Sequence, residues 1–111
     1  MELLDVITQT LDAKKANDIK VVNFRNENPL CDYFVICDAP SLRQVNALAM
    51  DVEDAIYKAG FKIKDQERQK DSTWVLLDAI DVVVHIFETE DRKHYNLEKL
   101  YQDYLDENVL R

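Results

Sequence analysis

Residues 74–88 read WVLLDAIDVVVHIFE, from Trp74 to Glu88. Two apolar runs rich in β-branched residues flank Ala79-Ile80-Asp81, so the stretch predicts a tight β-hairpin. Side chains alternate along a strand. With an even-length turn, Trp74, Leu76 and Asp78 share one face with Val83, His85 and Phe87. Val75, Leu77, Ala79, Val82, Val84 and Ile86 then share the other. The second set is wholly apolar and predicts a core face. The first is apolar but interrupted by a carboxylate and an imidazole, which makes it the candidate working surface. An odd-length turn would undo this sorting, because a slip of one residue sends every side chain to the opposite face.

The segments around the hairpin supply its layers. Leu4, Ile7, Thr8 and Leu11, with Leu3 beside them, predict a helix over about residues 2–16. Acidic Glu2 and Asp5 start it, and Lys14 and Lys15 end it, as the helix dipole prefers. Asn17-Asp18 breaks it. Ile19–Phe24 predicts a strand, Arg25–Pro29 a polar turn, and Asp32–Asp38 a second strand, apolar on both faces and therefore central. Ser41, with Gln44 three residues on, matches a capping box and opens a helix. Its apolar stripe runs through Val45, Leu48, Ala49, Val52, Ile56 and Ala59. Gly60, the sole glycine, falls where a left-handed C-cap belongs. Phe61–Gln66 alternates as a half-exposed edge strand guarded by lysines, and Glu67–Thr73 is polar loop. After the hairpin, Thr89 is the expected N-cap of a last helix whose stripe is Leu97, Leu100, Tyr101, Tyr104 and Leu105. The order is αββαβββα. It predicts an α/β domain with a mixed sheet of about five strands flanked by helices. The chain of 111 residues reads as a single domain, ordered from about residue 2 to 105, with a fraying tail.

Composition narrows the function. Fourteen basic against 22 acidic residues give a formal net charge of −8. Such a surface repels phosphate, so little or no direct nucleic-acid contact is expected. A basic protein partner suits it, as does plain solubility. Cys31 and Cys37 have neither zinc spacing nor a redox C-x-x-C arrangement, and they read as reduced core residues. No signal peptide opens the chain, no apolar run nears the ~18 residues of a membrane helix, and no membrane contact is expected. The expected location is the cytoplasm.

Asp78, Asp81 and His85 could suggest a metal or acid–base site. Asp81 sits in the turn, where aspartate bonds its own backbone. Asp78 and His85 lie at least one residue pair apart, and no third ligand stands at a recognisable spacing. Neither metal nor cofactor is expected. One glycine cannot build a phosphate loop, and no G-x-S-x-G or Cys/His nucleophile pair is visible. His94 reads as solvent-exposed. Arg43, Arg68 and Arg92 read as solvated and receive no partner. Trp74 reads either as core or as the anchor of a protein-binding surface. Three helices cannot cover both faces of five strands, and that favours the anchor. Tyr95 reads as a second anchor beside the hairpin or as a lid on the core.

WVLLDAIDVVVHIFE, followed by DRKHYNLEKLY (91–101), and DYFVICDAPSLRQVNALA (32–49) together resemble the ribosomal silencing factor family, also called Iojap-like. The likeness spans most of residues 3–101. It implies a nucleotidyltransferase-like α/β fold without catalysis. It implies a translational repressor that binds the large ribosomal subunit through ribosomal protein number fourteen and sterically blocks joining of the small subunit. Partner contact would fall on Trp74, Leu76, Asp78, Asp81, His85, Tyr95, Leu97 and Glu98. The chain departs from the family where members usually carry glycine: the hairpin turn (Ala79-Ile80 here) and the loop before Trp74. Asp38-Ala39-Pro40 stands where small or glycine residues are usual. Ile80 adds an exposed apolar contact to the expected set. Two rivals stay open: a large-subunit assembly factor using the same contacts, and a nucleotidyltransferase-type enzyme. A homodimer of the free protein stays open too.

Overall fold

The computed structural model describes residues 1–67 and 73–106. The expected loop over 68–72, with Arg68, and the tail over 107–111 lie outside the described residues. The elements are α1 (Glu2–Ala13), β1 (Asn17–Asn23), β2 (Tyr33–Ala39), α2 (Leu42–Lys58), β3 (Asp65–Glu67), β4 (Trp74–Asp78), β5 (Val82–Glu88), α3 (Thr89–Tyr95) and α4 (Leu97–Leu100). A 3₁₀ turn follows over Gln102–Tyr104. The five strands form one mixed sheet in the order β1-β2-β5-β4-β3. Among the described strands only the β2–β5 pair is parallel, and β5 occupies the centre between β2 and β4.

The hairpin sorts as its alternation requires. Trp74 pairs with Phe87, Leu76 with His85, and Asp78 with Val83. The turn is even because Ala79 N–H closes onto Val82 O at 2.9 Å around Ile80-Asp81. On one face Val75, Leu77, Val82, Val84 and Ile86 are fully buried beneath α1 and α2. There they meet Ile7, Leu11, Val45, Val52 and Ile56. The helical stripes of 3.6-residue period thus close this layer.

Several local expectations shift. Helix α1 stops at Ala13, and Lys15 turns left-handed at φ 62°. The lysines therefore follow the helix instead of closing its last turn. Ser41 Oγ accepts Gln44 N–H at 3.2 Å but gives its own proton to Gln44 Oε1 at 3.0 Å, which makes only half of a capping box. At the other end of α2, Gly60 (φ 88°) donates to Tyr57 O and Phe61 N–H donates to Ile56 O. That double bond pattern is a Schellman cap. The edge strand β3 shrinks to Asp65–Glu67, all exposed, and Lys62 and Lys64 precede it. Glu88, not Thr89, caps α3, accepting Glu90 N–H at 2.8 Å. The single last helix expected from Thr89 onward is broken at Asn96, whose φ of 48° is left-handed. The chain then continues as two short turns.

Those turns matter, because they decide what covers the second face of the sheet. Leu97, Tyr101, Tyr104 and Leu105 pack on Val22, Phe24 and Ile36, over the β1–β2 half. Leu105 bridges Val22, and Asp106 N–H bonds Val21 O at 2.8 Å. Trp74 and Leu76 of β4, on the same face, are half-buried.

Candidate functional site

The aromatic face begins at the start of β4, where Trp74 is half-buried. Its ring stacks on Phe87 at 4.9 Å with a 26° interplanar angle, and the Tyr95 ring stands 5.1 Å away. Tyr95 is the last residue of α3 and 51% exposed. Two tethers hold α3 beside the strand: Glu88 N–H bonds Thr73 O at 2.8 Å, and the Thr73 hydroxyl bonds the Asp91 carboxylate. Trp74 and Tyr95, 21 positions apart in sequence, therefore form one aromatic surface. Leu76 and Val83 continue it as half-buried residues.

His85 sits under this surface, not on it. It is 4% exposed, and its Nδ1 accepts the Trp74 indole N–H at 3.1 Å. Burial lowers its pKa from the usual 6.5 to about 4, so the ring is neutral near neutral pH.

The remaining expected contact residues scatter. Leu97 is half-buried within the second core cluster. Glu98 is half-buried, and its Oε1 accepts Arg92 Nε at 3.2 Å. Ile80 and Asp81 are exposed at the hairpin tip, and Asp78 is half-buried just below. Six residues separate Ile80 from Trp74 along an extended strand, which is about 20 Å. The tip therefore lies at the far end of this face from Trp74. It is acidic: burial first, then the negative charge of Asp78, Asp32 and Asp81, pushes the Cys31 thiol up to about 11. The side chain that bonds the turn backbone is that of Asp78, not of Asp81. Asp78 Oδ1 accepts Ile80 N–H at 2.9 Å, while the Asp81 carbonyl takes Asp32 N–H at 2.8 Å and Tyr33 N–H at 3.1 Å. Asp81 N–H also bonds Ala79 O at 2.9 Å, with φ 75° at Ile80. That is a γ-turn centred on a β-branched residue, a strained arrangement.

Sequence reasoning missed Arg92, which was expected to be solvated. It is 4% exposed. Its Nη1 donates to Asp38 Oδ2 at 2.8 Å and to the Asp18 carbonyl at 2.6 Å, and Nε reaches Glu98. The other Asp38 oxygen accepts the Thr89 hydroxyl at 2.7 Å. This buried cluster binds α3 and α4 to the ends of β1 and β2, and so fixes where Tyr95 stands. No periodicity in the chain marks it. His94 is exposed, and Cys31 and Cys37 are free and buried, the latter with its pKa pushed up to about 12 by burial. Among the described residues no three of His, Cys, Asp and Glu gather as a metal-ligand set, and no helix is long and apolar enough to cross a membrane.

The fold, a mixed sheet with helices packed on it, has solved counterparts. A crystal structure of a protein from Chromobacterium violaceum superposes with a TM-score of 0.86 at 32% identity, covering 91% of this chain and 84% of that one. The family model described as "Ribosomal silencing factor during starvation" matches residues 1–110, and the chain belongs to that family. Its relative in Halalkalibacterium halodurans, a ribosomal silencing factor, is 38% identical over 102 residues, which cover 92% of this chain and 87% of the relative. A more distant mouse protein, named for mitochondrial assembly of the ribosomal large subunit, is 29% identical over 103 residues, covering 88% of this chain and 44% of its own length.

Proposed function

We propose that the protein silences translation by capping the large ribosomal subunit, binding its ribosomal protein number fourteen and blocking the approach of the small subunit. The observation that carries this reading is the half-open Trp74–Tyr95 surface on a strongly acidic chain. An aromatic anchor in an uncovered apolar face fits a protein partner, and a net charge of −8 steers that choice toward a basic one. The family name supports the silencing role. Trp74, Tyr95 and Leu76 make the central contact. Ile80 with Asp78 and Asp81 forms an outlying acidic contact. Leu97, Glu98 and His85 act from beneath by holding the surface in place. Steric blocking needs affinity and bulk but no turnover, and the protein works in the cytoplasm, where ribosomes assemble on messages.

The test is sedimentation of the purified protein with isolated large subunits, followed by a subunit-joining assay. Trp74→Ala weakens binding by about 2 kcal/mol, as truncated anchors do, while circular dichroism and cooperative melting persist. A variant that unfolds, or one that binds as the wild type does, removes Trp74 from the interface.

The enzyme reading needs the hairpin carboxylates, Asp78 and Asp81, to hold magnesium. Asp78 is instead engaged in the turn, where its Oδ1 accepts the Ile80 N–H at 2.9 Å. Isothermal titration with a nucleoside triphosphate and magnesium decides this: binding heat restores the enzyme. The name of the mouse relative favours a second reading, an assembly role through the same contacts. Accumulation of large-subunit precursors in cells lacking the protein supports it.

A further inference from the structure

His85 is a costly residue for its place. It lies mid-strand in β5, between Ile36 of β2 and Leu76 of β4. Its ring stands edge-on to Phe34 at 4.6 Å. Ile36, Leu76 and Phe34 are apolar and ask for no polar group there. The indole N–H is a donor only, so Nδ1 must offer its lone pair and the ring proton must sit on Nε2. That Nε2 is buried and finds no hydrogen-bond partner among the described residues. The fold thus carries an orphaned donor, a destabilising feature, and what it gains in return is one acceptor aimed at Trp74.

The ring contacts that Trp74 makes with Phe87 and Tyr95 cannot replace that acceptor. Stacking on Phe87 and the tilted contact with Tyr95 hold the plane of the ring. They tolerate sliding and a flip about the Cβ–Cγ bond, because aromatic contacts are broad in geometry. A hydrogen bond is directional and distinguishes one edge of the indole from the other. We propose that His85 is the positioning residue of the binding surface. From inside the sheet, its Nδ1 fixes which edge of Trp74 is turned to solvent, so that the anchor meets its partner already oriented. The inference rests on the reading of Trp74 as an anchor for the large subunit.

The chain has a single tryptophan, so its fluorescence reports Trp74 directly. The full-length protein is compared with H85F, which removes the acceptor at similar bulk, and H85N, whose Oδ1 falls near the position of Nδ1. H85F is expected to melt cooperatively, to shift the emission maximum and to become more accessible to acrylamide quenching. Its dissociation constant for isolated large subunits is expected to rise about three- to tenfold, the cost of immobilising one freed side chain on binding. H85N returns both readouts toward wild type. A purely structural role would instead give H85F and H85N the same quenching and affinity, and that result overturns the proposal. Unchanged quenching in H85F overturns it, as does increased quenching with wild-type affinity. Should H85F fail to fold, H85N and the indole ¹H–¹⁵N resonance of the wild type decide. A downfield, slowly exchanging indole proton supports the proposal, and a freely exchanging one overturns it. If the wild type itself does not sediment with large subunits, the ribosome reading fails, while the fluorescence and resonance arms still decide whether His85 orients the indole.

Discussion

Leu76 and Leu77 are chemically identical neighbours that meet different fates. Leu77 is fully buried under α1 and α2, whereas Leu76 is half-buried on the aromatic face. The covered face is closed by two helices that bring continuous apolar stripes. Among the described residues the other is closed in part, by two short turns after Asn96. The lesson is that cover, not composition, separates core from contact surface here, since both faces are dominated by apolar residues. The partial cover is held in place both by the packing of Leu97, Tyr101, Tyr104 and Leu105 and by polar chemistry, the Arg92 cluster.

The largest expected effect tests that polar clamp. Arg92→Ala should destabilise the fold by about 4 kcal/mol in denaturant titration, because Asp38 is left buried and unpaired. Adding Asp38→Ala should recover part of the loss by removing the stranded charge. A single variant within 1 kcal/mol of wild type would mean that α3 is held by something else.

The paired leucines come next. Leu77→Ala should cost about 3 kcal/mol of stability through a cavity under α2. Leu76→Ala should cost about 1 kcal/mol, because a half-open site loses less buried surface. Equal losses would erase the difference between the faces.

Acid should also act through the second face. The folded state holds His85 at about 4 against an ordinary 6.5, so below pH 6.5 the unfolded chain takes up a proton that the folded one refuses. Stability is therefore full above pH 6.5 and falls as the pH drops toward 4, by about 2 kcal/mol between pH 7 and 5 from this group. Denaturant titrations of wild type and H85F at both pH values isolate it, and an identical pH dependence in the two removes His85 as the source.

The smallest effect lies at the tip. Ile80→Gly should stabilise by about 1 kcal/mol, because glycine accepts the positive φ that strains isoleucine. A lowered melting midpoint would show that the Ile80 side chain makes contacts worth more than its strain.

The sequence by itself determined whatever depends on neighbours along the chain. Strand period fixes which hairpin residues share a face. Ser41 and Gly60 mark the ends of α2, because caps act within a few residues. The signature segments, read as a resemblance, reached the family. What only the tertiary structure decided lies between residues distant in sequence. Arg92 meets carbonyls 74 and 75 positions away and a carboxylate 54 away. Glu98, read as a contact residue, is drawn into that cluster. His85, read as surface by its alternation, is buried because Trp74, Phe34 and their neighbours close over it. Alternation assigns a side chain to a face but says nothing about what lies on top, since burial is set by how distant segments fold back over the sheet.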